Sequence, residues 1–227
     1  MERHFEKELD QLKEKLIVMC RLVTTALEVA LDAVLRDSEE QAKKVFEIER
    51  TINAYEIEID NGVVDILALQ QPVAKDLRLI LAILKINNDL ERIGDHAVNI
   101  AESAIGLVKT PGREALLKIP EMSRETINML KNAVQSFVEL DAEKAQKVLK
   151  NDDVVDNLNR AMTAEIVRLI KEDQTTIEGN MQLARVSRNL ERVADLTTNI
   201  AEEVIFYTQA KFVKHHAGDV GATELHR

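Results

Sequence analysis

Two stretches of this chain place oxygen donors at helical spacing. Residues 90–102 read LERIGDHAVNIAE, and residues 190–202 read LERVADLTTNIAE. Eight of the thirteen positions are identical, among them Glu91/Glu191, Asp95/Asp195, Asn99/Asn199 and Glu102/Glu202. Residues four apart on a helix stand one above the other, about 6 Å along the axis. Glu91 with Asp95, and Glu191 with Asp195, can therefore present two carboxylates to one cation or to a bridged pair. Asn99 and Asn199, one turn further on, would add an amide oxygen. Such oxygen-only sets suit hard or intermediate metals. Two ligands do not close a site, so a second helix must supply others. Glu49 and Glu56 are the candidates in the first half, Asp152 and Asp156 in the second.

An acid stripe opposite an apolar seam is also what a solvated helix face looks like. The repetition weighs against that reading, because solvation needs polarity alone and here the residue type recurs at each place. Arg92 and Arg192 read as surface ion-pair partners of little energetic weight. His96 has no counterpart, since Leu196 stands in its place, and it is expected to be an exposed polar histidine. Gly94, Ala194, Ala97, Ala101 and Ala104 fit close helix approach rather than chemistry.

The elements that must carry these acids follow from periodicity. Leu9, Leu12, Leu16, Met19, Val23, Ala26, Ala30 and Ala33 alternate spacings of three and four, a helix seam that ends at Asp37-Ser38. Ser38 with Gln41 has the form of a capping box. A second helix shows Val45, Ile48, Ile52, Tyr55, Ile59, Ile66 and Leu69 on one face. Gln71-Pro72 separates it from a third, predicted over 73–109, with Leu79, Ile83, Ile86, Leu90, Ile93, Ala97, Ile100, Ala104 and Leu107 as its seam. Pro111-Gly112 ends that helix. The second half predicts helices over 120–140, from an Asp141 cap to 172, and from a turn at 173–176 to about 211. Residues 39–53 align with 142–156 at an offset of 103, so the repeat is larger than its acidic motif. The expectation is an all-α fold of two tandem three-helix bundles, residues 1–110 and 111–212, six long helices in a pseudo-twofold repeat. A polar tail, 213–227, is predicted to be disordered.

Composition limits what this fold could do. The net charge of −10 disfavours nucleic acid and anionic membranes as partners and suits cations or basic protein surfaces. One cysteine, Cys20, cannot form an internal disulfide and reads as a buried thiol in a reducing compartment. With no apolar run long enough to span a membrane and no signal-peptide core, the expectation is a soluble, cytoplasmic protein without membrane insertion. Glu-x-x-His motifs, phosphate-cradling glycine loops and Gly-x-Ser-x-Gly are absent, and a chain without Trp lacks the aromatic platforms of a glycosidase. A non-enzyme is expected.

The segment LALQQPVAKDLRLILAILKINNDLERIGDHAVNIAE (67–102), followed by RNLERVADLTTNIAE (188–202), closely resembles the two signature regions of the PhoU family of bacterial phosphate-transport regulatory proteins. The resemblance runs from residue 1 to about 212. It implies tandem three-helix bundles, often dimeric, with one E(D)xxxD motif per repeat. That motif falls on Glu91 and Asp95, and on Glu191 and Asp195. Some members bind multinuclear iron or zinc clusters through it, and the accompanying acids on the second helix of each repeat would be Glu49, Asp152 and Asp156. The implied role is an adaptor that represses the phosphate-starvation response and modulates high-affinity uptake. Its implied partners are the phosphate-transporter ATPase subunit and the phosphate-sensing histidine kinase. A helical bundle for metal storage or detoxification is the alternative. The chain departs from the family pattern at Ala194, where glycine is common, in the absence of a second QPVA segment, and at Asn53, which stands where Asp156 stands in the second repeat.

Overall fold

The computed structural model describes residues 2–110 and 116–211. Six helices and one 3₁₀ turn account for the described elements: α1 (Glu2–Arg36), α2 (Glu39–Gln70), α3 (Ala74–Val108), α4 (Ile119–Glu139), α5 (Ala142–Glu172), the turn Gln174–Thr176, and α6 (Ile177–Gln209). The all-α expectation holds, with helix ends within two residues of those predicted. Pro111-Gly112 and the tail lie outside the described residues.

Helices α1, α2 and α3 pack mutually, as do α4, α5 and α6, and the bundles join through α3 against α6 and α1 against α4. Every predicted seam residue of α1 and α3 is buried. The α2 face is less regular, with Ile48 and Tyr55 half-buried and Leu69, at the helix end, 73% exposed. Long amphipathic helices of this kind owe their stability mainly to the buried face.

Local chemistry sets the helix ends. Ser38 Oγ accepts from the Gln41 amide at 3.2 Å, and Asp141 Oδ1 accepts from the Lys144 amide at 3.0 Å, each meeting one orphan donor at a helix start. Just upstream, Ser38 N donates to Ala33 O at 3.0 Å and Asp141 N to Ser136 O at 2.9 Å. These are equivalent Schellman-type turns, and each needs a left-handed residue, Asp37 (φ 57°) and Leu140 (φ 55°). Pro72 lies one residue ahead of the α3 cap, Val73, and not in the first helical turn.

Side-chain pairs run along the contact of α3 with α6 in antiparallel order. Lys85 donates to Glu203 at 2.7 Å, Arg185 donates to Glu102 at 2.6 Å and to Asn99 at 2.8 Å, and His96 Nδ1 lies 2.8 Å from Asn189 Oδ1. Lys85 and Arg185 are equivalent by the repeat, so the pairing is nearly symmetric about the pseudo-twofold axis. Near one end, a Cβ at Gly106 would sit 2.9 Å from the end of the Gln182 side chain, which would have to shift to admit it.

Among the described residues no helix is long and apolar enough to cross a membrane. Cys20 is buried, and its burial pushes the thiol pKa up to about 12, so it stays a protonated, inert core group. Leu140, 47% exposed, holds its left-handed backbone at a cost of about 1–2 kcal/mol that glycine would avoid. Leu140→Gly should therefore raise stability by about 1 kcal/mol and the melting temperature by about 2–4 °C, read by thermal denaturation.

Candidate metal centres

The acids of the repeated motif lie beside the contact between the second and third helices of each bundle. Ile52 of α2 is fully buried there, its Cδ1 and Cγ2 each 3.4 Å from where a Gly94 Cβ would stand. Equivalent places in the second bundle carry Val155 and Ala194, both buried, so a smaller side chain faces a larger one and the summed volume is kept. This apolar crossing sets the distance between two acid-bearing helix edges.

In the second bundle, one carboxylate oxygen from each of Asp152, Asp156 and Asp195 lies within 4.8 Å of the others, with Asp152 and Asp156 half-buried and Asp195 exposed. Asp195 has its pKa raised by burial and by Asp156, against the opposing pull of Arg192 and of His96 reaching across from α3. Glu191, half-buried on the same edge, is raised by burial, then by Asp195 and Asp156. In the first bundle the Glu91 carboxyl is raised by burial, then by Asp95 and Glu56, with a smaller push from Glu49. Glu56 is itself raised by burial, Asp60 and Asp95. Each bundle thus gathers acids from two helices into a common negative field, which is the convergence that the spacing alone left open.

The asparagines go elsewhere. Asn99 Oδ1 accepts from Arg185, and Asn199 hydrogen-bonds the Asp89 carboxylate. Both belong to the α3–α6 seam and not to the groups of acids that the structure draws together. Over eight residues a helix turns by about 80° beyond two full turns, so a residue at i+8 has left the face that holds residue i. His96 also differs from expectation: it is half-buried and paired with Asn189 rather than exposed. Arg92, itself exposed, pairs at 3.6 Å with the largely buried Asp89 rather than with a surface acid.

Three residues the motif did not reveal belong to this region. Asn53 Nδ2 donates to Glu49 Oε1, while its Oδ1 is buried with no hydrogen-bond partner. Asp60 accepts from the buried Asn87 at 2.9 Å. Asp89 lines a cleft shared by α2, α3 and α6, together with Glu56, Lys85 and Glu203. The offset of 103 singles out Asn53 as the counterpart of Asp156, but Asp60 and Asp89 carry no signal in a single sequence.

The PhoU domain model matches twice, over residues 16–104 and 119–204, one match to each bundle. This chain belongs to the PhoU family. A phosphate-specific transport system accessory protein PhoU homolog from Aquifex aeolicus is 39% identical over 209 residues, 92% of this chain and 95% of its own length. The accessory protein PhoU of Escherichia coli is 30% identical over 215 residues, covering 95% and 89%. The crystal structure of PhoU from Pseudomonas aeruginosa superposes with a TM-score of 0.89 at 34% identity, covering 91% of this chain and 99% of that one. The two-repeat all-α architecture is therefore the PhoU architecture, and the family's place in phosphate transport is the setting for the acid clusters.

Asp89 also has a consequence for stability. It is 8% exposed, and its pKa rises from 3.8 to about 6, chiefly through burial and against the help of Asn199 and Arg92. A raised carboxyl contributes stability that is present below its unfolded pKa and lost as pH climbs through the folded value. The second repeat carries Asn189 at the equivalent place. Asp89→Asn should be more stable than the parent by on the order of 1–2 kcal/mol at about pH 7.5, the difference closing at about pH 4, as read by urea unfolding at both pH values.

Proposed function

We propose that this chain is a cytoplasmic, non-enzymatic adaptor that holds down the phosphate-starvation response when phosphate is plentiful and modulates high-affinity phosphate uptake. The observation that carries the reading is the double family match, one to each bundle, over nearly all of both this chain and its relatives. The proposed contacts are with the ATPase subunit of the phosphate transporter and with the phosphate-sensing histidine kinase of the two-component system, made by a homodimer. A preformed bundle suits docking with little rearrangement, and the acidic surface suits basic patches on a partner.

In the same reading the two acid clusters hold metal ions. The donor set suits a hard or intermediate cation: Glu49, Glu91 and Asp95 in the first bundle, and Asp152, Asp156, Glu191 and Asp195 in the second, supply carboxylate oxygens from two helices. None of these ligands is a sulfur or imidazole. That favours iron over zinc, which prefers Cys and His. Bound cations would offset the negative charge that now pushes Glu91, Glu191 and Asp195 upward and would tie the third helix of each bundle to the second. Asn99 and Asn199 are left to the α3–α6 seam.

Deletion of the gene should derepress phosphate-responsive genes in phosphate-rich medium, and the plasmid-borne chain should restore repression. Unchanged expression in the deletion strain counts decisively against the regulatory reading. Replacing Glu91, Asp95, Glu191 and Asp195 together by Ala should remove most metal from protein purified without tag or chelator, measured by elemental analysis. Metal content equal to the parent removes the site assignment.

A further inference from the structure

Both bundles carry four carboxylates around the crossing of their second and third helices, yet they arrange them differently. In the second, Asp152 and Asp156 stand four residues apart and converge with Asp195 to within 4.8 Å. In the first, the α2 acids near the third helix are Glu49 and Glu56, seven residues apart, which spreads them over about 10 Å of helix. The place between them, equivalent to Asp156, is Asn53. Its Nδ2 engages Glu49 Oε1, and its buried Oδ1 has no partner. The position equivalent to Glu56 in the second bundle is Asn159, whose Oδ1 accepts from Ser187 at 2.7 Å and serves the α5–α6 packing.

We infer that the two metal sites are unequal and fill in order: the second repeat takes the first cation, and the first repeat fills only at higher metal concentration. This rests on the reading of the acid clusters as metal sites. The compact triad offers three negative oxygens at one point. The first repeat carries at the equivalent sequence place the neutral amide of Asn53, whose Nδ2 donates to Glu49. Affinity in oxygen-donor sites follows the number of charged ligands and how far they are preorganised. A neutral ligand is not a defect, since the buried Asn53 Oδ1 has no hydrogen-bond partner and keeps its lone pairs for a cation. It sets a weaker site, and the chain then has a half-loaded state at limiting metal.

The test is equilibrium titration of the metal-free, full-length protein with Mn²⁺, free ion being measured by its electron paramagnetic resonance signal. The parent should show two classes of site separated by about tenfold or more in dissociation constant. Asp156→Asn should abolish the tight class and leave the weak one. Asn53→Asp should convert the weak class into a second tight one without touching the first. Both swaps are isosteric, and if Asp156→Asn misfolds by circular dichroism, Asn53→Asp decides alone. A single class in the parent, or a tight class that survives Asp156→Asn, overturns the ordering while leaving metal binding intact. No Mn²⁺ binding in the parent or in Asn53→Asp overturns the metal reading along with it.

Discussion

The antiparallel contact of α3 with α6 is the constraint from which the rest of the molecule follows. Each of these helices is third in its bundle and must pack against both partners of its own repeat and against the other third helix. Small residues make this possible: Ala82, Ala97, Ala101 and Ala104 on α3, and Ala194 and Ala201 on α6, are all buried. A helix packed on three sides has one narrow edge left for polar chemistry. That edge carries Glu91 with Asp95 on α3, and Glu191 with Asp195 on α6. The same contact is latched by pairs that cross it, Lys85 with Glu203 and Arg185 with Glu102. Lys85 also lies 5.5 Å from the Phe206 ring centre, so its charge is held over an aromatic face as well as against a carboxylate.

The repeats have kept the frame and drifted in its details, and the drift is physically coherent. Where the first has Ile52 against Gly94, the second has Val155 and Ala194. Where the first buries Asp89, the second has Asn189, which pairs with His96 across the seam. Asn87, bonded to the Glu56 carbonyl and to Asp60, gives way to Ser187, bonded to Asn159. Each exchange trades charge or volume against a neighbour and leaves the apolar register untouched. Positions that touch the core therefore change in compensating pairs, while Glu91/Glu191 and Asp95/Asp195 on the free edge keep their type.

The helices were legible because burial imposes a 3.6-residue period that a single sequence displays. The seams of α1 and α3 and the caps at Ser38 and Asp141 sit where the pattern places them. Leu69 was misjudged because periodicity cannot tell where a helix outruns the surface it packs on. The motif acids were legible because repetition separates them from ordinary surface charge, and their companions on α2 and α5 because they lie beside the apolar faces of those helices. What could not be read was the destination of side chains near two interfaces at once. Asn99 and Asn199 share the motif with the acids, yet helical rotation carries them to the other contact. His96 meets Asn189 and Asn199 meets Asp89 across the seam, and nothing local in either segment encodes those pairs.

The perturbed carboxyls connect stability to the site. Burial, first, and neighbouring acids, second, push Glu91, Glu191 and Asp195 upward. Each repeat therefore holds its acids in a conformation that their mutual repulsion opposes and that the surrounding apolar packing helps to maintain. Arg92 and Arg192 offset part of the repulsion but stand exposed, where solvent screens them. A cation at either edge would act on the folded state alone, because the unfolded chain does not assemble ligands from two helices, and its binding free energy would add to folding. The acids would then serve as a coupling element: metal occupancy would set how firmly α2 is held to α3 and α5 to α6, and α2 and α5, which pack only within their own bundle, lie on its outside. A partner that docks on such a surface would meet a firmer or looser helix pair according to the metal state, without any change in the α3–α6 core that carries both.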